Sequence, residues 1–201
     1  MAQQAVNLIQ NQLLYPNDLD NAAWAKVNST GVTVNADTNP ITGLVTVDGY
    51  QENTTNAVHY IEQTAILPIF KGYMFCGSAI LKKGTRDFVL MTVDGGASGV
   101  WMDLNNGTLG VQSGGSLGTI EDLGNGFHRC TVRRVVDSTI VRFRIYATTS
   151  NGGGTSYAGV NGDIPFYSDS RQVAIANWAG LLASNTSTPN VNPIPNLAAN
   201  S

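Results

Sequence analysis

Residues Ile120 to Ala147, I-E-D-L-G-N-G-F-H-R-C-T-V-R-R-V-V-D-S-T-I-V-R-F-R-I-Y-A, constrain the fold more than any other stretch. Val141, Phe143 and Ile145 alternate with Arg142, Arg144 and Tyr146. A period of two marks a strand with one apolar and one polar face. Just upstream, Phe127, Cys130 and Val132 lie among His128, Arg129, Thr131 and Arg133. Phe127 and Cys130 differ in parity, so a bulge is expected there. Gly124-Asn125-Gly126 supplies residues that tolerate positive φ and reads as a turn. The two runs, joined by a short link, read as a hairpin. Arg133, Arg142 and Arg144 are expected on one shared sheet face, with Arg129 and Arg134 nearby.

The rest of the chain agrees with an all-β reading. Charged residues make up 12% of 201 residues and there are 22 glycines, which suits short strands and frequent turns rather than long helices. The net charge is -3 and there is no basic tail, so nucleic-acid binding is not expected. No run of eighteen apolar residues predicts a membrane span. Met1-Ala-Gln-Gln-Ala-Val lacks the pattern of a signal peptide, so synthesis and residence in a cytoplasm are expected. Cys76 and Cys130 sit in apolar runs and read as buried thiols. The sequence does not say whether they are close.

Taken in order, residues 1–12 form an N-terminal arm of undetermined conformation. Asn17 or Asp18 is expected to cap one helical turn before Trp24 enters the core. Strands are expected near 31–35, 43–48, 58–64, 73–81, 88–93, 100–104 and 172–178, with a weaker segment at 157–167. Asn105-Asn106-Gly107 reads as a type I′ hairpin turn. With the central pair this makes roughly ten strands, the spacing of a two-sheet antiparallel sandwich spanning 13–182. Residues 183–201, A-S-N-T-S-T-P-N-V-N-P-I-P-N-L-A-A-N-S, carry no charge and three prolines. They read as an extended C-terminal arm that grips a neighbour through Val191, Ile194 and Leu197.

N-Q-L-L-Y-P-N-D-L-D-N-A-A-W, H-Y-I-E-Q, G-Y-M-F-C-G-S-A-I-L-K-K-G-T, V-W-M-D-L-N-N-G-T-L-G and I-E-D-L-G-N-G-F-H-R-C-T-V follow one another between residues 11 and 132. This succession resembles the jelly-roll domains of tailed-bacteriophage virion proteins, which are akin to concanavalin-like and carbohydrate-binding modules. Lys83-Gly84 and Arg129 match that pattern, and Phe127 stands where the family often has Trp. The resemblance covers roughly residues 7–178 and implies a jelly-roll sandwich made in a bacterial host and assembled into a virion.

Two roles follow from it. One is capsid decoration, as a cement protein on the outer capsid surface. The arginines and arms would then bind the major capsid protein and further copies of the chain, with a homotrimer favoured. The alternative is a tail-associated module binding host glycans through Tyr157, Tyr167 or Trp101, although Trp101 also reads as core. An enzyme is not expected, because the carboxylates are scattered and no nucleophile or phosphate-loop motif appears. His59 and His128 read as structural. No cofactor or metal is expected, and the oxygen ligands near Asp94–Gly99 are too few for calcium.

Overall fold

A computed structural model describes residues 11–66, 72–96, 98–138 and 140–175. Residues 1–10, Trp178 and the candidate arm contacts Val191, Ile194 and Leu197 lie outside the described residues.

Among the described residues, thirteen strands form two antiparallel sheets packed as a β-sandwich. The first sheet runs in the order β1 (Ala25–Val27), β4 (Asn56–Ile66), β11 (Ile140–Thr148), β6 (Phe88–Thr92), β7 (Val100–Asp103), β8 (Thr108–Gln112). The short β12 (Ser156–Ala158) pairs with β4 beside β1. The second sheet runs β2 (Ser29–Thr38), β3 (Val45–Glu52), β13 (Phe166–Ile175), β5 (Tyr73–Lys83), β10 (Phe127–Val136), β9 (Leu117–Gly124). β1, β8 and β9 were not among the expected strands, and β13 starts six residues before the expected one.

Between the sheets lies one main core. Trp24, Tyr50, Phe75, Met91, Val132, Phe143, Ile145 and Phe166 belong to it. Each outer face carries a smaller cluster. Leu90, Trp101 and Tyr146 form one. Val47, Ile80 and Phe127 form the other, with Leu123 and Tyr167 packed against it.

The central stretch folds differently from a hairpin. β10 pairs with β9 on one side and β5 on the other. β11 pairs with β4 and β6 in the opposite sheet. The tight β9–β10 turn and β5 occupy both edges of β10, so β11 has no edge to join and the chain crosses the end of the sandwich. Asn125 and Gly126 both have positive φ, 55° and 76°, as a two-residue type I′ turn requires. The irregularity falls where β9 holds an extra residue, Leu123, opposite the Phe127–His128 step. The parity change itself has another cause: Cys130 and Val132 face the main core, whereas Phe127 faces outward into the smaller cluster.

The Asn105-Asn106-Gly107 turn also differs. Asp103 pairs with Thr108, and only Gly107 in the loop has positive φ, at 64°. Oδ1 of Asp103 instead accepts the N–H groups of Asn105 and Asn106, at 3.0 and 2.9 Å. The four-residue loop is thus closed by an Asp side chain, not by a type I′ pair.

Residues 11–24 form a strap over the seam between the sheets. Asp18 Oδ1 accepts the Asn21 N–H at 3.1 Å, so it caps a single turn, and Trp24 is 1% exposed. Asn11 bonds β13 through its side chain, accepting the Val173 N–H at 2.9 Å and donating to Arg171 O at 3.0 Å. The Gln63 amide both accepts from and donates to the Leu14 backbone. Buried Asp48 accepts the Leu19 N–H at 2.8 Å. Arg171, wholly buried, stacks on Trp24 at 5.0 Å, and burial pushes its pKa down to about 10.

Candidate functional site

The two ends of the sandwich offer different chemistry. At one end lie the end of β4, the start of β5, the end of β10, the start of β11 and the β6–β7 loop. Three arginines converge there on the loop that begins at Asp94. Arg134 from β10 pairs with Asp94 at 2.9 Å and donates to Ser98 O at 3.3 Å. Arg142 from β11 forms a backbone bridge with Asp94, and its side chain packs on Gly95. Arg144 donates to Gly95 O, pairs with Glu62 and bonds the Tyr146 hydroxyl at 2.8 Å. Its guanidinium also stacks on Tyr60 at 4.7 Å. Burial opposes the Arg144 charge, but bonds to Glu62 and Tyr146 outweigh it and hold its pKa above the usual arginine value.

At the other end an open cleft of about 530 Å³ is lined by Asp37, Lys82, Lys83, Thr85, Asp163 and Tyr167, with Ala36, Gly84, Gly162 and Ile164 between them. Lys82 bridges it to Asp37 at 2.7 Å and lies 4.9 Å from the Phe127 ring centre. That hydrogen bond holds the Asp37 carboxyl below its ordinary value, against a smaller opposing effect of burial.

A buried hub fixes the cleft walls. Glu52, wholly buried, accepts from Arg86 at 2.7 Å, from the Tyr157 hydroxyl at 2.6 Å and from the Val160 N–H at 2.9 Å. Its own backbone N–H donates to Asp163 O, and its carbonyl accepts from Gly162, both at 2.9 Å. Across the cleft, Gly84 and Thr85 donate to Pro165 O and Ile164 O at 3.1 and 2.9 Å. A Cβ on Gly84 would sit 1.9 Å from Ile164 O, so only glycine permits that approach.

The expected site residues are distributed unevenly over this frame. Arg142 and Arg144 share the outer face of the first sheet, but Arg133 faces outward from the second. The expectation of one shared arginine face is therefore corrected, because β10 and β11 belong to different sheets. Trp101 is 6% exposed, and its indole N–H points to Gly153 O at 3.4 Å beneath the following loop. Tyr157 is stacked on His59 at 4.7 Å and on Arg86 at 4.5 Å. Burial, then the bond to Glu52, push its hydroxyl pKa up. Tyr167 alone of the three aromatics lines the cleft.

Cys76 lies opposite Arg133 and Cys130 opposite Ala79, on opposite faces of the sheet. Both are buried and unpaired, and burial raises the Cys76 thiol to about 11.

Glu52, Arg86 and Asp37 were missed by the sequence reading. One signal was present for Glu52. In V-T-V-D-G-Y-Q-E, parity puts Asp48, Tyr50 and Glu52 on one face, and a tyrosine between two acids suggests a buried one. Among the described residues, no group of three His, Cys, Asp or Glu side chains is arranged to hold a metal ion. No protein-family model matches this chain, and no curated protein matches its sequence.

Proposed function

We propose that this chain is a non-enzymatic bacteriophage virion protein, a capsid decoration or cement protein that binds the major capsid protein on the outer shell. The family reading comes from the ordered motifs between residues 11 and 132. The observation that carries the attachment role is where residues 12 and 175 lie. Gln12 donates to Val173 O at 2.8 Å, and Ile175 lies opposite Phe75. Residues 12 and 175 thus lie at the same end of the sandwich, and the sequence before 11 and after 175 holds no charged side chain.

That end also exposes Tyr73, Met74 and Val135, at 50, 39 and 51%. Met74 and Val135 are partners across β5 and β10. An apolar strip beside residues 12 and 175 suits attachment to a coat subunit or to further copies in a trimer. Arg133, on the same face of β10 as Val135, borders it, and Arg142 lies on the outer face of the other sheet.

The test is copy number on purified particles, by quantitative mass spectrometry against the coat protein. Abundance within a small factor of the coat protein is the expected result. The double variant Arg133→Glu with Arg142→Glu is expected to lower occupancy with an unchanged melting temperature. Arg144 is unsuited to this test, because its loss would break the Glu62 pair. Absence from particles would sink the virion reading.

A second reading, a tail-associated carbohydrate-binding protein, is favoured by the cleft beside Tyr167. An abundance far below that of the coat protein would move the balance to it.

A further inference from the structure

We infer that the cleft beside Tyr167 takes a small, neutral saccharide unit. This rests on the carbohydrate-binding reading and adds the ligand class and its place at the end of the sandwich away from residues 12 and 175. Three observations carry it.

The first is charge. The ionisable side chains lining the cleft are Lys82, Lys83, Asp37 and Asp163, and both ammonium groups are already paired, Lys82 with Asp37 at 2.7 Å and Lys83 with Asp87 at 2.6 Å. An acidic sugar would have to displace one of those carboxylates, whereas a polyhydroxylated neutral ring needs only donors and acceptors side by side. Ammonium groups donate, carboxylates accept and the Thr85 hydroxyl does both.

The second is the floor. Tyr167 is half-buried and wedged against the Val47, Ile80 and Phe127 cluster, so its ring is already oriented before a ligand arrives. A fixed aromatic ring with a polar rim is how concave sites seat a ring-shaped ligand of mixed polarity.

The third is rigidity. Gly84 and Thr85 are bonded to Pro165 and Ile164, and Glu52 ties down Gly162 and Asp163. The walls are therefore held in place without a ligand, which lowers the entropic cost of binding. A volume of about 530 Å³ suits one or two sugar rings.

The experiment follows backbone amide resonances of the full chain during titration with lactose, cellobiose, N-acetylglucosamine, glucuronic acid and N-acetylneuraminic acid. Expected are saturable shifts at residues 82–85 and 162–167 with the neutral sugars. Affinity should fall at least about tenfold in Tyr167→Ala and persist in Tyr167→Phe. Asp163→Ala, on the rim, should weaken binding similarly and covers the case in which Tyr167→Ala does not fold. Shifts only with the two acidic sugars would overturn the neutral-ligand inference and leave the carbohydrate reading standing. Shifts centred elsewhere, or binding unchanged in both alanine variants, would overturn the site. No response to any sugar would overturn both.

Discussion

At the cleft end a buried carboxylate organises its surroundings, while at the opposite end partly buried arginines do. Glu52 is wholly enclosed and takes donors from three different segments. Arg134, Arg142 and Arg144 keep some solvent access and hold a loop by several weaker contacts. A charge removed from water depends on every partner, because none can be replaced by solvent. A charge at the rim has water in reserve. The cleft end should therefore be rigid and intolerant of substitution, and the other end more forgiving.

The largest test of that contrast compares Glu52→Ala with Glu62→Ala. Loss of Glu52 leaves Arg86 and the Tyr157 hydroxyl without their acceptor and should cost about 3–5 kcal/mol in thermal or denaturant unfolding. Loss of Glu62 leaves Arg144 with Gly95, Tyr146 and water, and should cost about 1–2 kcal/mol. Equal losses would break the comparison. Next comes Gly84→Ala. Its methyl would meet Ile164 O, so stability should drop by about 1–3 kcal/mol and amide exchange should quicken at residues 162–165.

Asn11→Ala tests the strap, where two hydrogen bonds to β13 are lost. A drop of about 1–2 kcal/mol is expected, with faster exchange at Val173.

The smallest effect is the surface pair. Lys82 depresses the Asp37 pKa below 3.8, so the pair's stability is present above that value and disappears as pH falls through the lower folded value. Lys82→Met should cost under about 1 kcal/mol at pH 6. Wild type and variant should converge as pH falls through the lowered folded value of Asp37, read as the difference between their melting temperatures.

Local features were legible in the sequence. Alternation at Val141–Tyr146 gave the strand and its faces, and Asn125–Gly126 gave the turn, because both depend on neighbouring residues alone. A cap at Asn17 or Asp18 and Trp24 as core were visible for the same reason, and the structure places the cap at Asp18. Sheet membership was not. The three-residue link after Val136 could close a hairpin or cross the sandwich, and what decided was the earlier claim of β5 and β9 on the edges of β10. The Glu52 hub was hidden by distance, since Arg86 and Tyr157 lie 34 and 105 residues away in sequence. Tyr167 could be proposed as a loop-flanking aromatic, but its cleft depends on Asp37 and Lys82 from other strands.

The Asn11 to Val173 contact spans 162 positions. During synthesis at about 5–20 residues per second, the strap leaves the ribosome on the order of ten seconds or more before its partner strand exists. Until β13 arrives, Leu13, Leu19 and Trp24 have no completed core to enter, and β5 lacks one neighbour. The sandwich therefore closes late, and any nascent chain halted before Val173 would display an unpaired strand edge and an apolar strap together, the two features that chaperones recognise.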